Sequence, residues 1–366
     1  MCRAKVIGAG IGGLVTAIGL QRLGMDVTVF ERAAAPGPVG AGLSLFGNAF
    51  AALDSVGAGD AVRALGGPQA GLRAGQRRPD GRWLATIPVS AVGELRVVHR
   101  ADLHRVLAES LRPGTIRWGS PASAERGDFD VVVAADGIRS GTRASWPDDP
   151  GVRYAGYSTW RGVTTGRVDV GGAAGETLGR GERFGMAPLP DGRVYWFGVA
   201  TMPEDATFAD EVAEVRRRFG GWHEPIAELI DATAPEAVFR TGIHELAGPL
   251  RTFRRGRVVL LGDAAHAMTP DLGQGANQAI EDAATLAALL GSASDVDAAL
   301  AEYDVLRRAR TQKIALRARQ MGRLMQSSNP LRDVVLRLTP PAVVGRQLRA
   351  IQSWRPPVGP TSHATA

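Results

Sequence analysis

Lys5-Val6-Ile7-Gly8-Ala9-Gly10-Ile11-Gly12-Gly13 is a short apolar run that passes without interruption into a glycine turn. An amphipathic stretch follows from about Gly12 to Leu23, and a second apolar run, Val27–Glu31, comes after it. The period changes from two to 3.6 and back, which predicts a strand–helix–strand unit. In such a unit each glycine has its own task. Gly8 makes the turn, Gly10 lets the backbone approach a pyrophosphate, and Gly13 lets helix and strand pack closely. The helix start then offers free N–H groups and the positive end of its dipole to phosphate. Glu31 ends the second strand 23 residues after Gly8, where a carboxylate accepts from ribose hydroxyls, and Arg32 is beside it. The stretch therefore predicts a dinucleotide site built from Gly8, Gly10, Gly12, Gly13, Glu31 and Arg32.

Two later stretches repeat the strand-into-glycine pattern. Asp130–Ala134 runs into Asp136-Gly137-Ile138-Arg139-Ser140, with Arg143 placed to hold the loop. Taken alone, Asp-Gly is as readily a surface turn as the wall of a nucleotide crevice. Val258–Leu261 runs into Gly262-Asp263-Ala264-Ala265-His266 and then Pro270-Asp271-Leu272-Gly273-Gln274-Gly275-Ala276-Asn277. Asp263 at a strand end is placed to bind ribityl or ribose hydroxyls. The Gly273/Gly275 loop starts a helix whose N–H groups face the pyrimidine side of a flavin ring. A nucleotide touched again so far along the chain points to FAD rather than NAD as the bound group.

Composition sets the frame. The 366 residues suit two domains, and 45% hydrophobic with 22% charged residues is ordinary for a globular protein. The net charge of +6 comes almost wholly from scattered arginines, Lys5 and Lys313 being the only lysines, so no nucleic-acid partner is expected. No apolar run reaches membrane-spanning length, and a cytoplasmic protein is expected. Cys2 is the only cysteine, and no metal site is expected.

Helices are predicted at about 48–53, 59–65, 100–111, 208–219, 275–290 and 296–325. Short strands fill 71–87 and most of 154–250, with turns such as Pro190-Asp191-Gly192. The fold class is α/β: a Rossmann-like nucleotide domain, an inserted, mostly antiparallel β-sheet substrate domain, and C-terminal helices. The boundaries are 1–70, 96–150 and 251–295 for the discontinuous nucleotide domain, 71–95 and 151–250 for the substrate domain, 296–352 for the helical region, and 353–366 for a disordered tail.

The three glycine motifs, in this order and spacing, resemble those of the class A flavin-dependent monooxygenases with the para-hydroxybenzoate hydroxylase fold, over about residues 4–319. The resemblance implies non-covalent FAD, with Arg100 on its pyrophosphate side. It also implies NADH or NADPH as a transient electron donor, and O2 activated as a flavin C4a-hydroperoxide that hydroxylates or epoxidises an electron-rich aromatic or heteroaromatic small molecule. A flavin oxidoreductase of the same fold without oxygen insertion is the alternative. The stretch from Arg180 to Phe197 is most similar to the branch of urate, 3-hydroxybenzoate and salicylate hydroxylases, which places Arg183, Tyr195 and Asp271, with Pro270, at the reacting substrate. Leu43, Tyr157, Trp160 and Phe197 are expected as pocket walls, the aromatic ones alternatively as core of the β domain. His266 is expected to be structural or flavin-adjacent, and His99 and His104 packing or surface groups. Between Trp118 and Asp130 the family's usual β-hairpin is cut to a loop, which trims the edge of the nucleotide domain. A monomer or homodimer is expected.

Overall fold

In the computed structural model, residues 2–37, 41–67, 72–87 and 93–357 are described. Strand β1 (Arg3–Ile7) opens a six-stranded sheet with β2 (Asp26–Phe30), β7 (Ile116–Arg117), β8 (Val131–Ala134), β14 (Arg254–Arg255) and β15 (Val258–Leu260), in the order β14-β15-β8-β1-β2-β7. All pairs are parallel except the β14–β15 edge. Its strands read as near-continuous Val, Ile and Leu because helices cover both faces. The register carries the functional consequence. Ile7 pairs with Ala134, and Ala134 with Leu260. Three strands far apart in sequence thus end side by side, and the three glycine motifs leave the sheet at one carboxyl edge, where open α/β sheets bind ligands.

Helix Ile11–Arg22 packs most closely on helix Gly275–Ser292, and small residues make this possible. A Cβ added at Gly12 meets Leu261 and Ala279, and one at Gly19 meets Ala287. Helix Val296–Met325 runs as the sequence pattern predicts, and two further helices, Leu331–Leu338 and Pro341–Gln352, follow it. The tail expected to be disordered lies largely outside the described residues, from 358 onward.

A seven-stranded sheet stands over this edge. Its order is β13-β9-β12-β11-β10-β4-β5, from β4 (Arg73–Arg77), β5 (Trp83–Ile87), β9 (Val152–Val163), β10 (Ala173–Leu178), β11 (Glu182–Pro188), β12 (Val194–Thr201) and β13 (Phe239–Leu246). It is antiparallel apart from the β4–β10 pair. One face buries Trp160, Phe184 and Trp196 against helix Glu211–Phe219, which contributes Phe219 to the contact. The other face looks toward the glycine motifs. A ribbon of β3 (Gly42–Phe46) and β6 (Leu95–His99) completes the enclosure.

Alternation along β9 corrects one expectation. Tyr157 and Trp160 are three residues apart, so they point to opposite faces. Tyr157 faces the cavity. Trp160 is fully buried in the other core, beside Phe208 and Phe219, and its indole N–H donates to Glu211 at 2.6 Å. Trp160 is therefore core, not pocket wall.

Candidate active site

Between the two sheets lies a cavity of about 410 Å³. It falls within the range of roughly 300–1,000 Å³ typical of small-molecule sites. Its nucleotide side is built from backbone. Gly8 has φ +100°, and a Cβ there would run into the Ala135 carbonyl. A Cβ on Gly13 would strike the Gly8 carbonyl. Gly10 differs: nothing lies within 4 Å of an added Cβ, so its freedom is kept for whatever enters the cavity. Helix Ile11–Arg22 starts there without a side-chain cap or an acidic residue in its first turn. Helix Gly275–Ser292 likewise starts uncapped, and Gly275 and Ala276 line the same cavity. Two uncapped helix starts converging on one space form a pair of anion-seeking sites, and this fits a dinucleotide with its flavin ring.

The positive-φ residue of the second loop is Gly273, at φ +61°, where the turn Pro270–Leu272 ends in the left-handed region. Gly275 has no positive φ, and a Cβ there meets only the Asp263 carboxylate, at 4.0 Å. Its lack of a side chain leaves room beside the helix start.

The predicted nucleotide residues separate into two sets. Gly10, Gly12, Gly13, Arg100, Asp263, Gly273, Gly275 and Ala276 line the cavity. Glu31 stands behind the first turn and accepts N–H groups from Ala9 at 2.8 Å and Ala33 at 2.9 Å. Asp136 accepts from the Thr142 N–H at 3.2 Å, while its neighbour Gly137 reaches the cavity. Arg32 is exposed. Asn277 is fully buried and clamps two elements: its amide donates to the carbonyls of Ser44 and Gly273, and its oxygen accepts from the Phe46 N–H.

Charged side chains hold these loops from beneath. Arg143, 2% exposed, donates to the carbonyls of Ile138 and Ala264 and to Asp149, tying the second motif to the third. His104 lies 2.7 Å from the Ala9 carbonyl and braces the first turn. His266 is structural: its Nε2 is 2.6 Å from Asp282, which also accepts from the Gly262 N–H and from Arg307. Burial alone raises the Asp282 carboxyl, but His266 and Arg307 outweigh it and bring it down to about 2.

The substrate side carries side-chain chemistry. Leu43, Tyr157, Arg183, Tyr195, Phe197, Pro270 and Asp271 all line the cavity. Arg183 is not a surface arginine: it is 2% exposed, and each of its nitrogens is engaged. Nε donates to Gln326 at 2.9 Å, Nη1 to Glu176 at 3.3 Å, and Nη2 pairs with Asp271 at 2.8 Å. Asp271 also accepts the Tyr157 hydroxyl at 2.6 Å. Burial works against the Arg183 charge, and Glu176 and Asp271 more than restore it. Burial and the Asp271 charge hold the Tyr157 phenol well above the usual tyrosine range, so it remains a donor. Burial, only partly opposed by Arg183, raises Glu176 above the usual carboxylate range.

Sequence reasoning missed Thr159, Arg161 and Glu176 in this wall. Alternation from Tyr157 finds the first two. Glu176 had no local signal, because its place depends on the pairing of β10 with β11 and β4.

Fold and cavity together define an enzyme scaffold that holds a dinucleotide between a Rossmann-like sheet and a second, largely antiparallel one. Residues 124–318 match the family described as FAD binding domain, and residues 6–52 match the NAD(P)-binding Rossmann-like domain. The chain is 37% identical over 346 residues to the aurachin C monooxygenase/isomerase of Stigmatella aurantiaca, covering 88% of this chain and 90% of that one. It is 34% identical over 348 residues to the FAD-dependent urate hydroxylase of Klebsiella pneumoniae, covering 87% and 89%. The crystal structure of Klebsiella pneumoniae HpxO complexed with FAD and uric acid superposes with a TM-score of 0.86 at 29% identity, over 96% of this chain and 97% of that one. The chain belongs to the class A flavoprotein monooxygenases. It is an FAD-dependent enzyme with a nicotinamide electron donor. Among the described residues no helix is long and apolar enough to cross a membrane.

Proposed function

We propose that the cavity hydroxylates a planar aromatic or heteroaromatic small molecule, with O2 as co-substrate, and that Arg183, Asp271 and Pro270 form the reacting end of the site. Tyr195, expected beside them, is level with Val163 on β9, six residues of register from Tyr157, and contacts the far end of the substrate instead. The observation that carries this reading is the buried Arg183–Asp271–Tyr157 cluster, in which Arg183 and Tyr157 of the sheet wall meet Asp271 of the third glycine loop. Bound flavin supplies the electron transfer from the nicotinamide donor and the oxygen activation. The chain's own part is positioning. Gly10 and Gly275 leave room for the cofactor, and Asp263, Glu31 and Arg100 hold its hydroxyls and pyrophosphate. Arg32, Asp136, Gly8, Gly12, Gly13, Gly273, Ala276 and Asn277 shape or brace that cradle.

Pro270 starts the turn that aims Asp271 inward, and the Pro270 carbonyl is taken by the Gly273 N–H at 2.8 Å. Asp271 fixes the Tyr157 hydroxyl and the Arg183 fork. The N–H groups that remain on the Arg183 fork orient a ring carbonyl, oxide or N-heteroatom, while Leu43 and Phe197 pack on the ring and exclude water. The six-stranded sheet draws on residues 1–70, 96–150 and 251–295, and the seven-stranded sheet on 71–95 and 151–250. This supports a cofactor unit and a substrate unit, with 296–352 as a brace.

The test measures NAD(P)H oxidation by the FAD-loaded protein against a panel of phenols, benzoates, quinolones and purines under 18O2. Stimulated oxidation with one labelled oxygen in the product is expected. Reduced acceptor without label from every active compound overturns the reading.

A further inference from the structure

Arg161 is on the cavity face of β9, in line with Tyr157 and Thr159. It pairs across the sheet with Phe197 on one side and Phe239 on the other. At roughly 3.3 Å per residue, its Cα is about 13 Å along the strand from that of Tyr157. Arg183 pairs across to Val199, and Val199 to Thr159, so Arg161 lies two residues, roughly 7 Å, further along the sheet than Arg183. The Arg183 guanidinium turns the other way, 5.7 Å from the Tyr157 ring, so its cluster marks the Tyr157 end of the wall and Arg161 the opposite end.

The two arginines differ in compensation. Arg183 has Glu176 and Asp271 as counter-charges. Arg161 has no carboxylate partner among the described residues, and its neighbour is the neutral Tyr195 phenol. Arginine stays charged at any working pH, and a half-buried cation without a counter-charge is unfavourable unless a ligand or water provides one. Its planar fork matches two oxygens at once.

We propose that Arg161, backed by the Tyr195 hydroxyl, is a second polar pole of the cavity that receives an anionic oxygen group, a carboxylate or ring oxide, on the aromatic substrate. The inference rests on the reading of this cavity as the aromatic-substrate site. Arg183, already neutralised, orients the reacting end. Arg161 selects for charge at the remote end. Phosphates of FAD or of the nicotinamide donor are the other possible source of anionic oxygen, and the experiment separates them.

The FAD-loaded enzyme is titrated with salicylate and salicylamide, and with 4-hydroxybenzoate and 4-hydroxybenzamide, following the flavin absorbance difference. For at least one pair, the parent is expected to bind the carboxylate tenfold or more tightly than the amide. Arg161→Gln is expected to weaken carboxylate binding at least tenfold, leave amide binding within twofold, and keep the parent's FAD content. Arg161→Lys restores part of the carboxylate preference and guards against a merely structural loss. Equal binding of acid and amide by the parent overturns the proposal, as does an unchanged preference in Arg161→Gln. FAD loss or a raised KM for the nicotinamide donor in that variant also overturns it, and assigns the cation to the cofactors. If neutral rings are hydroxylated as well as anionic ones, the active-site reading stands and this inference alone falls. If no ring from the panel perturbs the flavin or is oxygenated, both fall.

Discussion

Arg183 on β11 and Asp271 on the flavin-side turn meet at 2.8 Å with side chains 3% and 0% exposed, so one ion pair joins the substrate sheet to the loop that starts helix Gly275–Ser292. Neither side chain is open to bulk solvent. A displacement at either end is transmitted to the other, which couples substrate geometry to the cofactor side.

Asp271→Asn keeps the shape and removes the charge. Glu176 still compensates Arg183, so the loss in stability is expected to be smaller than the roughly 3–5 kcal/mol of a fully broken buried pair. Product formation is expected to fall at least tenfold while FAD content is retained, with more peroxide per NAD(P)H consumed. Peroxide and product assays on the same samples check it; parent-like coupling would show that the pair is structural only.

The glycines separate fold from ligand. Gly8→Ala places a Cβ against the Ala135 carbonyl at φ +100°, and a loss of about 2 kcal/mol or more is expected in the flavin-free protein. Gly275→Ala meets nothing closer than 4.0 Å. Its flavin-free stability should match the parent, while FAD affinity drops tenfold or more. Denaturation of flavin-free protein and FAD titration together decide this. A destabilised Gly275→Ala with normal FAD binding would reverse the assignment.

Asp263→Ala removes a charged acceptor from the cavity wall. A hydrogen bond to a charged group is worth about 1.5–3 kcal/mol, or one to two decades in affinity. The variant is expected to purify depleted of flavin, and full occupancy with parent affinity would sink the role given to Asp263.

What the sequence made legible was what local patterns encode. The strand-into-glycine motifs and the helix Val296–Met325 follow from short-range periodicity, and the cavity positions of Tyr195 and Asp271 from the family resemblance. Trp160 was misplaced because its hydrophobicity suited either face and only the parity of β9 decides between them. Glu176 and the engagement of Arg183 were hidden because they depend on cross-strand register and on Gln326, 143 residues away. The left-handed backbone at Gly273 and not Gly275 was hidden because two glycines separated by a single residue look alike until φ is known.

Acid stability should report on Asp282. Its folded carboxyl is held at about 2, below its ordinary value of 3.8. The folded state thus binds its proton less readily than the unfolded state, and stability rises with pH across this window. The contribution, about 2–3 kcal/mol at roughly 1.4 kcal/mol per unit, is fully present above pH 4 and is lost as pH falls toward 2. Asp282→Asn should flatten the pH dependence of stability between pH 4 and 2. An unchanged slope would show that Asp282 is not the group responsible.

The same network gives the largest expected stability effect. Arg307, 1% exposed, donates to Glu281 and Asp282 at 2.6 Å each, and both carboxylates are fully buried. Glu281 in turn accepts from Asn48 and Gln278, which share Gln274 at the start of the flavin-side helix. Among the described residues, Arg307→Ala leaves His266 as the one basic partner of Asp282 and Arg310 as that of Glu281. Stranding buried charge in this way costs roughly 3–5 kcal/mol. The triple variant Arg307→Leu, Glu281→Gln, Asp282→Asn removes the charges together and should recover much of that loss, since the penalty comes from uncompensated charge rather than from missing attraction. Chemical denaturation of the flavin-free proteins measures both. If Arg307→Ala is within 1 kcal/mol of the parent, or the triple variant is less stable than Arg307→Ala, the network does not brace the flavin loop by charge balance.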